Sequence, residues 1–234
     1  MASPPTAAVT AAHLAPGERW PAAAAARYDL RPAATSADFD RAYAVLEAQF
    51  GPAGELERRE VLWRWWQAPW PSTELAPITV RYHLTLAWDG DQLAGVRDHF
   101  STVDRRTGRS VAFLSHALVL PPWRRSGLAT LLRALPWADL QATAADLGVS
   151  PTEATLLTEM DLVAHDDEAS HIRLIAYAGS GFRVVAPWHL PYAQPDFRAP
   201  SPAVPPCPVP MLLVVRQLGQ EARTDISPLR LRAL

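Results

Sequence analysis

The residues with the clearest chemical potential lie between positions 119 and 130: Val119-Leu120-Pro121-Pro122-Trp123-Arg124-Arg125-Ser126-Gly127-Leu128-Ala129-Thr130. An apolar run, a glycine-containing turn and a helix start, in that order, offer an anion several unpaired backbone N–H groups and the positive end of a helix dipole. A pyrophosphate suits such a nest. No Gly-Lys-Ser/Thr follows and only one glycine is present, so the spacing fits neither a Walker loop nor a dinucleotide fingerprint. Glu159 is the second candidate, because a carboxylate inside the apolar stretch 154–160 would have its pKa raised by burial toward the range of a general base. A structural glutamate with a buried partner is the competing reading. Asp98, on an earlier strand beside His99, could line a cleft for a cationic amine.

Other clusters carry less. His165-Asp166-Asp167-Glu168 with His171 has metal-ligand residue types, but the spacing is no fixed motif and acidic residues also suit a helix N-terminus; no metal is expected. Trp63, Trp65, Trp66 and Trp70 either wall a pocket or fill a core or dimer contact. Gly179-Ser180-Gly181 precedes a strand instead of opening a helix, so it is not a nucleotide loop. Cys207, the single cysteine, reads as an incidental loop thiol.

Composition narrows the class. The net charge of −2 gives no bulk electrostatic case for nucleic acid or an anionic membrane surface. The sequence contains no lysine, which excludes a lysine nucleophile or Schiff base. One cysteine forms no intrachain disulfide, and the first residues lack a secretory pattern, so a cytoplasmic location is expected. The apolar runs 111–120 and 211–215 fall well short of the roughly 20 residues that span a bilayer.

The elements that must position these residues follow from periodicity and breakers. Residues 1–26, rich in Ala and Pro, read as a mobile or loosely packed arm. A short strand near 28–32 precedes a helix with Phe39, Tyr43, Leu46 and Phe50 at helical spacing, and a second helix is predicted over 54–66. Segments 81–88 and 92–103 around Asp89-Gly90-Asp91 predict a hairpin. Residues 111–120 read as a central strand buried on both faces. A helix over 127–147 with Pro136 inside it, a strand at 154–160, a helix at 168–178 and strands from 182 and at 211–215 complete the domain, 27–218. Residues 186–210 are Pro-rich and read either as a partner-binding polyproline stretch or, better, as a long loop between the last two strands, and 219–234 as a polar tail.

Val-x-Pro followed by Arg124-x-x-Gly127-x-Ala129 resembles the acetyl-CoA loop of the GNAT superfamily of N-acetyltransferases. Tyr177-Ala178-Gly179-Ser180-Gly181-Phe182 is similar to the ending of that family's penultimate helix. The resemblance implies an α/β (α+β) acyl-CoA N-acyltransferase fold, a central mixed, mostly antiparallel sheet flanked by helices, splayed between the CoA-contacting strand and the next. It implies that Leu118 and Val119 lend backbone groups to the pantetheine arm. Arg124, Arg125, Ser126, Gly127, Leu128, Ala129 and Thr130 would wrap the pyrophosphate, and Tyr177 would return a proton to the thiolate. Glu159 would be the base, with Asp98 and Ser115 toward the acceptor. If Phe113, Ser115 and Ala117 face the active site, alternation turns His116 to the other face, as a structural residue. Ser170 stands where the family has an Asn, so that contact is not carried over. The implied reaction is direct transfer from acetyl-CoA to a primary amine of a small molecule or peptide, with no metal; a homodimer is left open. The alternatives are a non-catalytic acyl-CoA-binding module and an enzyme for a larger acyl-CoA.

Overall fold

The computed structural model describes residues 7–68, 76–162, 168–197 and 207–222. Helix α1 (Ala22–Arg27) and strand β1 (Asp29–Pro32) precede α2 (Ser36–Phe50) and α3 (Arg59–Gln67). The cap of α2 is Thr35: its side chain accepts from the Asp38 N–H at 3.1 Å, and the Asp38 carboxylate accepts the Thr35 N–H at 2.9 Å. This reciprocal box satisfies two orphan donors of the first turn. Phe39, Ala42 and Leu46 then form the buried stripe. Helix α3 starts later than the predicted 54, because Gly54 sits at φ +71° and the chain turns before Arg59.

Strands β2 (Ile78–Asp89), β3 (Gln92–Asp104) and β4 (Arg109–Val119) form an antiparallel meander, turning at Gly90 (φ +59°) and Gly108 (φ +74°). Helix α4 (Leu128–Asp146) runs through Pro136 without ending. Then come β5 (Glu153–Asp161), α5 (Glu168–Gly179), β6 (Arg183–Val185), β7 (Tyr192–Gln194) and β8 (Val209–Gln217). The sheet order is β1-β2-β3-β4-β5-β8-β6, with β7 also on β8. Among the described strands only β4 and β5 are parallel, joined by the crossover helix α4 that a parallel pair requires. The mixed, mostly antiparallel sheet flanked by helices is the expected fold class. Strand β7 is additional, inside the stretch read as loop.

Helices α2 and α3 cover one sheet face over Leu84, Leu86, Val96 and Leu118. Helix α4 covers the other, where Leu140 and Ala144 pack on Val103, Ala112, Leu114 and Leu156. In the described part of the segment read as a loose arm, residues 7–26, Ala24 is buried against Leu128, Leu131 and Leu132, next to the buried Tyr28. Polar ties hold it along α4, with His13 Nε2 to Gln141 Oε1 at 2.9 Å and Glu18 Oε1 to Arg133 at 3.3 Å. Composition alone hid this, since the alanines are small enough to pack closely on a helix. Among the described residues no helix is long and apolar enough to cross a membrane.

Candidate active site

Strands β4 and β5 pair from Arg109↔Glu153 to Leu114↔Thr158 and no further. Beyond that point β4 is bonded to β3, with Ala117 opposite Arg97 and Val119 opposite Gly95, while β5 stays on β8 to Asp161. The strands therefore fork inside the sheet. Thr158 Oγ1, donating to the Leu114 carbonyl at 2.9 Å, closes the crotch of the fork. The cause lies in β4: Ser115 and His116 together oppose the single residue Asp98 between the Arg97 and His99 pairings. Such a bulge bends and twists its strand away from the regular ladder.

The fork leaves backbone groups facing an opening. The Leu120 N–H donates to the Ala94 carbonyl on β3 at 2.9 Å, so by alternation the amides of Ala117 and Val119 face the β5 side. Leu118 does not meet its expectation: its carbonyl faces β3, 2.6 Å from where a Cβ on Gly95 would stand, and its side chain is buried beneath α2 and α3. Nor is β4 buried on both faces, since Ala117 is exposed and Phe113, Ser115 and Val119 are half-buried along the fork.

The opening leads to the loop before α4. Arg125 at φ +63° and Gly127 at φ +89° are both left-handed. For the non-glycine Arg125 this costs about 1–2 kcal/mol. Alternating backbone hands of this kind turn successive N–H groups toward one point, as in anion-binding nests. Trp123 anchors the loop through Nε1 to Asp89 Oδ2 at 2.8 Å, and Ser126 Oγ donates to the Trp123 carbonyl at 2.6 Å. Arg124, Arg125 and Ala129 are exposed, Thr130 is half-buried, and Leu128 is buried beneath them.

On the α2/α3 side, the bulge changes two expectations. It places His116 on the same face as Phe113 and sends Ala117 to the α4 face, because one extra residue reverses the alternation. Asp98, expected to line a cleft, is 0% exposed. It accepts the His116 N–H at 2.7 Å and the Tyr82 hydroxyl at 2.9 Å, and His116 Nδ1 lies 3.1 Å away. His116 Nε2 donates to the Glu55 carbonyl at 2.9 Å. Burial disfavours the imidazolium, but the Asp98 charge and hydrogen bonds outweigh it and raise the pKa of His116 to about 9. Burial likewise opposes ionisation of Asp98, and the His116 charge and bonds hold it below the usual carboxylate range. This buried ion pair stands beside Glu57, whose pKa is raised chiefly by burial.

Glu159 is half-buried on β5 just past the fork, and burial raises its pKa. The Tyr192 hydroxyl, from β7, donates to Glu159 Oε1 and partly offsets that rise. Tyr177, half-buried near the end of α5, packs edge-on against Phe182 with centroids 5.1 Å apart. Arg97, 1% exposed on β3, has Nε and Nη2 without a hydrogen-bond partner. The structure thus groups Val119, the 124–130 loop, Ser115 and Glu159 around one opening. The Asp98 and Leu118 side chains are buried away from that opening, and Tyr192 joins it through Glu159. Trp63 and Trp66 pack on Phe39 and Trp65 on Phe100, so these three serve the core; Trp70 lies outside the described residues. His165, Asp166 and Asp167 of the acidic cluster also lie outside them, and Ser170 is buried.

No protein-family profile matches the sequence, and no curated protein matches it. Among solved structures, the chain is similar to the ribosomal-protein-S18-alanine N-acetyltransferase from Escherichia coli, at TM-score 0.44 and 15% identity, covering 86% of this chain and 99% of that one. It is also similar to an aminoglycoside 6'-N-acetyltransferase complexed with coenzyme A, at TM-score 0.44 and 12% identity, covering 78% and 92%. A fungal multi-domain GH3 β-N-acetylglucosaminidase with a GCN5-related glucosamine N-acetyltransferase region gives TM-score 0.46 and 16% identity; 68% of this chain spans 17% of that protein.

Proposed function

We propose that the chain is a GNAT-type N-acetyltransferase that moves an acetyl group from acetyl-CoA to a primary amine by direct attack. The observation that carries this reading is the fork between β4 and β5, opening onto the left-handed turn at the start of α4. Acetyl-CoA supplies an activated thioester. Along the Ala117 and Val119 backbone groups, which β5 leaves unpaired, the pantetheine arm takes the place of the missing strand partner. Arg124, Arg125, the N–H groups of Ser126, Gly127 and Ala129 and the Thr130 hydroxyl hold the pyrophosphate. Glu159 accepts the proton of the attacking amine, with Tyr192 fixing its orientation, and Tyr177 donates a proton to the departing thiolate. A pocket backed by the carboxyl groups of Glu159 and Glu57 favours an acceptor that arrives as a cation and gives up a proton to Glu159 before it attacks. The test is release of free CoA from acetyl-CoA across a panel of small-molecule and peptide amines. Release above background for one class supports the reading. Equal background for all of them, with acetyl-CoA bound, contradicts it and leaves a binding module.

A further inference from the structure

Away from the fork, on the opposite side of β3 from Asp98, three side chains converge beneath α4. His83 on β2 and His99 on β3 are direct cross-strand partners, and Asp139 comes down from α4. Their candidate ligand atoms all lie within 4.8 Å of one another. Asp139 Oδ2 is 3.4 Å from His99 Nε2 and 3.8 Å from His83 Nδ1. Ligand atoms about 2.0–2.1 Å from a tetrahedral Zn²⁺ stand about 3.4 Å apart; the His99–Asp139 distance fits, the His83–Asp139 distance is a few tenths of an ångström longer, and the two imidazoles, stacked with centroids 4.6 Å apart and planes 3° from parallel, must rotate for both lone pairs to meet one ion.

The surroundings are arranged as a metal site's outer partners are. Asp139 Oδ1 accepts the Ala7 N–H at 3.2 Å, leaving Oδ2 for the two rings. His83 Nε2 meets Thr143 Oγ1 at 3.4 Å, leaving Nδ1 inward. Such outer bonds commonly fix the tautomer of a ligating histidine. His99 is 0% exposed and neither ring nitrogen has a hydrogen-bond partner. A buried imidazole left this way carries a desolvation cost that a ligand removes. Arg81, the nearest cation on β2, is drawn outward by Asp146 at 3.1 Å.

We infer that His83, His99 and Asp139 form a binding site for a divalent transition-metal ion of the Zn²⁺ class, which pins α4 to the β2–β3 hairpin. The two-imidazole, one-carboxylate set suits zinc better than the oxygen-seeking Ca²⁺ or Mg²⁺. The site is separate from the fork and takes no part in acetyl transfer.

The experiment uses the full, tag-free chain, stripped with chelator and titrated with Zn²⁺, and in parallel with Co²⁺ followed by visible absorption. One equivalent should bind, Co²⁺ should give a tetrahedral or five-coordinate d–d spectrum, and Zn²⁺ at a hundredfold excess over Kd should raise Tm by about 5–10 °C. Asp139→Asn and His99→Gln should each abolish the spectrum and the shift, while His171→Gln should retain both. Should both site variants fail to fold, His83→Gln at the most exposed ligand gives the same reading. No d–d band and no Tm shift in the wild-type chain would overturn the proposal, as would binding that survives these substitutions.

Discussion

Asp98→Asn tests the buried pair at the bulge. In the native chain His116 has a pKa of about 9, above its usual 6.5. Its contribution to stability is therefore fully present below pH 6.5 and is lost as pH rises through 9. The difference of about 2.5 units corresponds to about 3 kcal/mol, or about 6–12 °C in Tm for a chain of this size. The amide keeps the shape but loses the charge and one of the two acceptor oxygens, so either the Tyr82 hydroxyl or the His116 N–H loses its bond, a cost that does not depend on pH. Unfolding of both proteins at pH 6, 8 and 10 should show the variant less stable at pH 6, with the gap narrowing by about 3 kcal/mol toward pH 10. Taking the difference removes groups common to both chains, Asp139 included. A gap that is constant or widens between pH 6 and 10, or a His116 ring that titrates near 6.5 in the native chain, would refute the reasoning.

Three further outcomes follow from the site and its frame. Tyr177→Phe should lower kcat by about 10²-fold while isothermal titration shows unchanged acetyl-CoA affinity; a lost affinity with unchanged kcat contradicts the acid role. Tyr192 lowers the pKa of Glu159 by its hydrogen bond, so Tyr192→Phe should move the acid limb of the kcat profile to higher pH, and an unmoved limb removes Glu159 as the base. Gly95→Ala would put a Cβ 2.6 Å from the Leu118 carbonyl and 3.3 Å from Leu128 and Leu132, so a loss of about 1–3 kcal/mol is expected on denaturant unfolding; a neutral result would show that β3 and β4 shift freely there.

Much of the frame was legible because it is local. Alternation and glycine turns located β2 to β4, and the proline-flanked apolar runs located β5 and β8. The anion nest was legible for the same reason, since its glycine, arginines and helix start are contiguous. What escaped depends on register. The bulge at Ser115 and His116 has no glycine or proline to mark it, so strict alternation assigned His116 to the wrong face and left Asp98 open to solvent. Tyr192 reaches Glu159 only because β7 adds to β8, a pairing across a Pro-rich stretch that reads as loop. His83, His99 and Asp139 are separated by up to 56 positions and meet only once α4 crosses the sheet. The N-terminal segment was misjudged because its alanines show no amphipathic contrast, although close approach to Gly127 and Leu128 is what small residues permit.

Hydrogen–deuterium exchange with and without saturating acetyl-CoA tests the placement of the donor most directly. The account predicts slowed exchange in peptides covering residues 115–119 and 124–132, with β1 and β2 unchanged, and weaker protection of 124–132 with dephosphorylated pantetheine thioesters. Protection confined to other elements, or none at an acetyl-CoA concentration that titration shows to be saturating, would contradict the fork and its loop as the acetyl-CoA site.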